Sequence, residues 1–187
     1  MTDPAPGAHL PTPDDRATAD RFARSVSLVK AALPPPAHLL DLGISNPLAD
    51  LMRHEGYAVS NTDGDLDLMP ETVREVEADA VTAFEVLEHL VAPYNVLRAI
   101  KAPRLFASVP LRLWFARAYR NEADPWDRHF HEFEDWQFDW LLRKSGWRIV
   151  QREYWVPRPG GVPLGIRPIL RRFTPRWYAV EAIRESR

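Results

Sequence analysis

The apolar positions of this 187-residue chain fall into short runs that alternate between two periods. Residues 16–33 set Phe22, Val26, Val29 and Leu33 three or four apart, which is one stripe of a helix. Pro34, Pro35 and Pro36 stop it. The apolar run His38–Leu42 predicts a strand closed by Gly43. Asn46 followed by Pro47 predicts a helix start, because Asn caps free backbone N–H groups and Pro suits the first helical position. That helix should run to about Glu55, with Gly56 as its stop. Further strands are expected at Tyr57–Thr62, Ala80–Phe84, Leu105–Val109, Trp147–Trp155 and Trp177–Ile183. Helices are expected at Pro93–Ile100 and at Glu134–Ser145, the second closed by Gly146, with a helical turn or two after Pro70. Val156–Arg176 holds five prolines and reads as a loop. The pattern assigns nothing to residues 111–133.

Strands alternating with helices predict an α/β fold, doubly wound, with one sheet covered on both faces. In such sheets ligands sit beyond the carboxyl ends of the strands. The residues that follow each strand therefore carry the interest: Asp41–Asn46, Thr62–Asp65, Phe84–His89 and Val109–Leu111. Residues 16–187 are expected to form one domain. Residues 1–15, rich in Pro and polar side chains, are expected to be a mobile tail.

Composition narrows the chemistry. Hydrophobic residues make up 45%, an ordinary level for a packed domain. There is no cysteine, which excludes disulfides, thiolate metal sites and cysteine nucleophiles. No apolar run approaches the roughly 20 residues of a membrane span, and the opening stretch lacks the features of a signal peptide. A cytoplasmic setting is the expectation. The net charge of −2 hides an asymmetry: residues 140–187 hold 11 basic and 3 acidic residues, against 13 and 23 in residues 1–139. The basic C-terminal part is either a solvated face or a surface for an anionic partner such as a phosphate, a nucleic acid or a lipid surface.

The strand–Asp–x–Gly–turn–helix arrangement at Asp41–Pro47 suits a ligand cradle, since Gly43 lets backbone approach a bound molecule closely. Asp63, after the next strand, either accepts hydrogen bonds from a ribose diol or starts a turn with Gly64. The segments LLDLGISNP (39–47), TAFEVLEHL (82–90), LFASVPL (105–111) and HEFEDWQFDWLLRKSGW (131–147), in that order, resemble class I methyltransferases that use S-adenosylmethionine (SAM). The closest likeness is to the O-methylating branch carrying EVLEH. The resemblance spans roughly residues 20–183. It implies a mostly parallel sheet of six or seven strands with an antiparallel last strand, Trp177–Ile183. It also implies that Asp41, Gly43 and Ser45 hold the methionine part of SAM, that Asp63 is the ribose-binding acid, and that Phe84 and Glu85 flank the sulfonium. Two features depart from the family. Its later loop glycines are replaced by Ser45 and Pro47, and only 16 residues separate Asp63 from Ala80. Either the family's third strand is absent, or Asp65–Leu68 serves the adenine side alone.

Glu85, Glu88 and His89 place two carboxylates and an imidazole within five residues. Such groups suit a divalent metal, with His131 as a fourth ligand and His129 nearby. The same pattern resembles the 2′-O-methyltransferases of small-RNA 3′ ends and the ubiquinone-pathway O-methyltransferases, which implies metal or proton-transfer roles for Glu85, Glu88, His89 and His131. His89 and His131 are the catalytic candidates. The alternative is a helix cap and a packed histidine. In residues 113–133, Trp114, Phe115, Tyr119 and Trp126 either stack on a planar acceptor or form that segment's own core. The stretch 167–177 (RPILRRFTPRW) is either an exposed hairpin or a phosphate holder. The chain lacks an N-P-P-Y signature and any Cys for pyrimidine C5 chemistry. O-methylation of a small-molecule or glycan-like acceptor is the expected activity, reached by elimination and resemblance. A non-catalytic SAM-fold scaffold and a metal-assisted RNA 2′-O-methyltransferase are the alternatives.

Overall fold

A computed structural model describes residues 16–157 and 165–185. Along the chain run α1 (Arg16–Ala32), β1 (His38–Asp41), α2 (Pro47–His54), β2 (Ala58–Asn61) and β3 (Ala80–Phe84), followed by α3 (Pro93–Ala99) and β4 (Arg104–Pro110). The second half holds α4 (Asp135–Lys144), β5 (Trp147–Trp155), α5 (Ile166–Phe173) and β6 (Trp177–Arg184). The strands form one sheet in the order β2-β1-β3-β4-β6-β5. β1 to β4 are mutually parallel, while β6 runs antiparallel to both β4 and β5.

Consecutive strand residues face opposite layers, so each buried strand feeds two cores. Leu39 and Phe106 pack with Val26, Val29, Leu48 and Met52 beneath α1 and α2. Leu40, Leu105 and Ala107 pack with Leu97, Phe138 and Leu142 beneath α3 and α4. This is the doubly wound layering that the apolar runs predicted. The edge strand β5 alternates buried and open positions between two buried tryptophans, Trp147 and Trp155. Its register shifts by one residue at Ile149/Gln151.

No strand lies between β2 and β3 among the described residues, so the sheet has six strands and β2 is an edge. The short connection instead forms turns and one 3₁₀ turn at Pro70–Arg74. Within it Asp67 accepts the Val91 and Ala92 N–H groups, each at 2.8 Å, and so holds the two residues that lead into α3.

One expected loop is partly a helix. α5 occupies Ile166–Phe173, where the proline count argued against regular structure. Pro168 stands at the third helical position, where no intrahelical N–H bond is lost. Residues 158–164 and the 1–15 stretch expected as a tail lie outside the described residues. No helix among the described residues is long and apolar enough to cross a membrane.

Candidate functional site

The parallel register brings Asp41 opposite Asn61 and Thr82, so the ends of β1 and β2 meet the middle of β3 at one point. Asp41 is buried and accepts three hydrogen bonds: from Thr82 Oγ1 at 2.6 Å, Asn46 Nδ2 at 3.0 Å and Asn61 Nδ2 at 3.1 Å. Burial raises its pKa, and these three donors oppose the rise. Asn46 also caps α2, its Oδ1 accepting the Leu48 and Ala49 N–H groups. Gly43 has a φ of +98°, and a Cβ there would meet nothing within 4 Å. The loop thus bends as only glycine does easily, and it leaves space in front of its backbone.

Ser45 is exposed and accepts a bond from Arg53 Nη1 at 3.1 Å. Arg53 continues to Asn61 Oδ1 at 2.7 Å. Asp63 is exposed beyond β2, and its Oδ1 accepts the Gly64 N–H at 2.8 Å. Asn61, which the sequence reading did not single out, joins β2 to the loop, beside Thr62, whose Oγ1 accepts the Gly43 N–H at 2.7 Å. Pairing the ends of β1 and β2 in register would have found it.

Glu85 terminates β3 with a φ of 57°, a left-handed conformation costing on the order of 1 kcal/mol for a non-glycine residue. Its Oε2 accepts from Arg21 Nη1 at 3.1 Å, and its Oε1 from Ser108 Oγ at 2.8 Å. Burial raises the Glu85 pKa, with Arg21 the main opposing charge. Arg21, another residue missed in the sequence, comes from α1. With Phe22, Asp41, Asn46, Phe84 and Glu85 it lines a cavity of about 210 Å³.

The 3₁₀ turn Leu87–His89 follows. Glu88 is 1% exposed, and its Oε2 has no hydrogen-bond partner among the described residues. Burial first, then the Glu85 charge, push its pKa well above the usual carboxylate range. The 111–133 segment docks on this turn through backbone groups. The Phe130 and His131 N–H groups both donate to the Glu88 carbonyl, at 2.8 and 3.2 Å, and His89 Nδ1 meets the Arg128 carbonyl at 3.1 Å. Tyr119 lies 4.4 Å from His129, ring centroid to centroid.

Glu88, His89 and His129 bring their ligand atoms within 4.8 Å of one another. Of the expected cluster, Glu85 and His131 stay outside this group. Both Glu85 oxygens are taken. The His131 ring stacks on Phe133 and turns Nε2 toward the Val91 carbonyl at 3.3 Å. Two successive N–H groups bonding one carbonyl force a bend at residue 130, which sends the rings of His129 and His131 apart. His129 therefore stands where His131 was expected. Its pKa is lowered by desolvation and then by His89, which favours the neutral ring.

No protein-family model matches the chain. No curated protein matches its sequence. Solved structures do match. One is the Burkholderia thailandensis 1,6-didemethyltoxoflavin-N1-methyltransferase with bound 1,6-didemethyltoxoflavin and S-adenosylhomocysteine, at 19% identity and a TM-score of 0.58, covering 96% of this chain and 93% of that one. The Synechocystis magnesium protoporphyrin IX methyltransferase with bound S-adenosylhomocysteine matches at 12% identity and a TM-score of 0.54, over 96% of this chain and 90% of that one. The [4+2]-cyclase SpnF matches at 14% identity and a TM-score of 0.51, over 88% of this chain and 82% of that one. The chain has the class I fold of SAM-dependent methyltransferases.

Proposed function

We propose that the chain binds SAM and transfers its methyl group to a hydroxyl of a small acceptor. The observation that carries this reading is the cavity lined by Arg21, Asp41, Asn46 and Glu85, set beside the Glu88–His89–His129 group. The cavity fits the amino-acid end of SAM. Its Arg21–Glu85 ion pair would offer a cation to the carboxylate and an anion to the ammonium once the ligand separates the two, while Asp41 stays bonded to its three donors. Gly43 leaves open space where another residue would carry a Cβ. Asp63 is the candidate for the ribose diol, because only its Oδ1 is engaged among the described residues.

The bound cofactor would supply an activated methyl group on sulfur. What remains for the chain is alignment and removal of the hydroxyl proton. His129 suits the second task, since its neutral ring has a free electron pair at neutral pH. His89 supports it. Its Nδ1 points at the Arg128 carbonyl, which leaves Nε2 as the electron-pair nitrogen of the neutral ring. Calorimetry with SAM tests the reading. Saturable heat that is lost in Gly43→Val supports it, and no heat at millimolar SAM favours a non-catalytic scaffold.

One observation favours a metal-assisted variant of this reading. His89 Nε2 and Glu88 Oε1 stand 3.8 Å apart, too far for a hydrogen bond but within reach of one ion at bond lengths of about 2.0–2.2 Å. Glu88 Oε2 is buried without a partner beside them. A divalent ion would polarise the acceptor oxygen there. Titration with Mn²⁺ followed by electron paramagnetic resonance checks it. Binding should vanish in His129→Ala and persist in His131→Ala.

A further inference from the structure

The loop segment 111–133 and α5 enclose a second cavity of about 160 Å³, walled by Leu111, Arg117, Tyr119, His129, Arg171 and Arg176 among others. It shares His129 with the Glu88–His89 group, so it opens beside the proposed methyl-transfer site. Its charge is unbalanced. Among the described residues Glu132 is the one acidic residue on the wall, and its Oε1 already accepts the Tyr119 N–H at 2.5 Å. None of the three arginines is ion-paired among the described residues. Arg21, whose charge is met by Glu85, lies over the same Trp177 ring as Arg176, at 5.5 and 5.3 Å from its centroid. Desolvation, and then the Arg171 charge, hold the Arg176 guanidinium below its usual value.

Guanidinium groups that outnumber the carboxylates around them repel one another, and a bound anion removes that repulsion while accepting their planar, forked donors. The geometry points to an acceptor that carries an anionic group, a carboxylate or a phosphate monoester, held by Arg117, Arg171 and Arg176. Its hydroxyl then faces His129. Leu111, Leu113 and Tyr119 give the wall an apolar part for the body of such a molecule. The inference rests on reading this cavity as the acceptor site of the proposed reaction.

Calorimetric titration of the full chain with phenyl phosphate, benzoate and benzyl alcohol, without SAM, tests it. We expect saturable binding of at least one anion and none of benzyl alcohol. The tighter anion identifies the group. The double variant Arg117→Gln/Arg171→Gln, at two exposed positions, should weaken that binding by about tenfold or more, since charge-assisted bonds to the guanidinium groups are lost. Equal binding of benzyl alcohol, no saturation by either anion, or unchanged affinity in the double variant overturns the proposal. A single-stranded RNA oligonucleotide that binds a hundredfold tighter than phenyl phosphate overturns it in favour of a polyanionic substrate. A separate SAM titration keeps the two readings apart. Anion binding without SAM binding removes the methyl-transfer reading and leaves the anion site standing.

Discussion

Asp41 ends β1 and Glu88 sits in the turn that follows β3; both are acidic and nearly sealed from water, yet their surroundings are opposite. Asp41 receives three side-chain donors. Glu88 keeps an oxygen with no donor among the described residues, and the neighbouring Glu85 charge adds to its burden. A buried carboxylate with full hydrogen bonding holds its neighbours in place. One left short is costly to the fold, and such a cost persists where a ligand later relieves it. The difference separates a structural acid under the proposed cofactor loop from a functional one under the proposed acceptor site.

The largest effect is expected at Asp41. Asp41→Ala strands three donors, from β3, from the cap of α2 and from the end of β2, each bond to a charged acceptor contributing about 1.5–3 kcal/mol but not additively. The variant should lose about 3 kcal/mol or more in urea unfolding. Wild-type stability in that variant removes Asp41 as the anchor of the loop.

Glu88 should behave in the reverse way. Its pKa in the fold lies above the ordinary 4.5, so its contribution to stability is fully present below pH 4.5 and is lost as pH rises through the elevated value. Glu88→Gln fixes an uncharged side chain. At pH 8 the variant should therefore be more stable than wild type, by about 1–3 kcal/mol if the unpaired oxygen carries the penalty. The gap should close below pH 4.5. Thermal unfolding across that range decides it, and a variant that is less stable at pH 8 shows that Glu88 already has a partner.

The layered fold was legible because buried strands carry continuous apolar runs, and all six expected strands form. α5 was not, since counting prolines ignores position, and Pro168 sits in the first turn, where a helix tolerates it. The loop chemistry of Asp41, Gly43 and Asn46 is local and could be read from spacing. Arg21, 64 residues from its partner Glu85, and Asn61, 20 from Asp41, depend on packing that spacing does not encode. The exchange of His131 for His129 turns on one bend, where two N–H groups share the Glu88 carbonyl. Residue types at that point were readable; the direction of each ring was not.

A third carboxylate sharpens the comparison with the smallest effect on the fold. Asp63 is exposed, and its one recorded bond closes the turn at Gly64. Asp63→Ala should change stability by no more than about 0.5 kcal/mol, as for surface positions without buried partners. If Asp63 holds the ribose, SAM affinity should nonetheless fall about tenfold or more, because a bond from a hydroxyl to a charged acceptor is lost. Asn61→Ala makes the matched control. It removes a donor to buried Asp41 and a contact of Arg53, so it should destabilise the fold by about 1 kcal/mol. Stability and affinity measured on the same two variants then assign each residue separately. A loss of SAM affinity in Asn61→Ala with none in Asp63→Ala moves the ribose contact from Asp63 to the end of β2, directly opposite Asp41 in the register of the sheet.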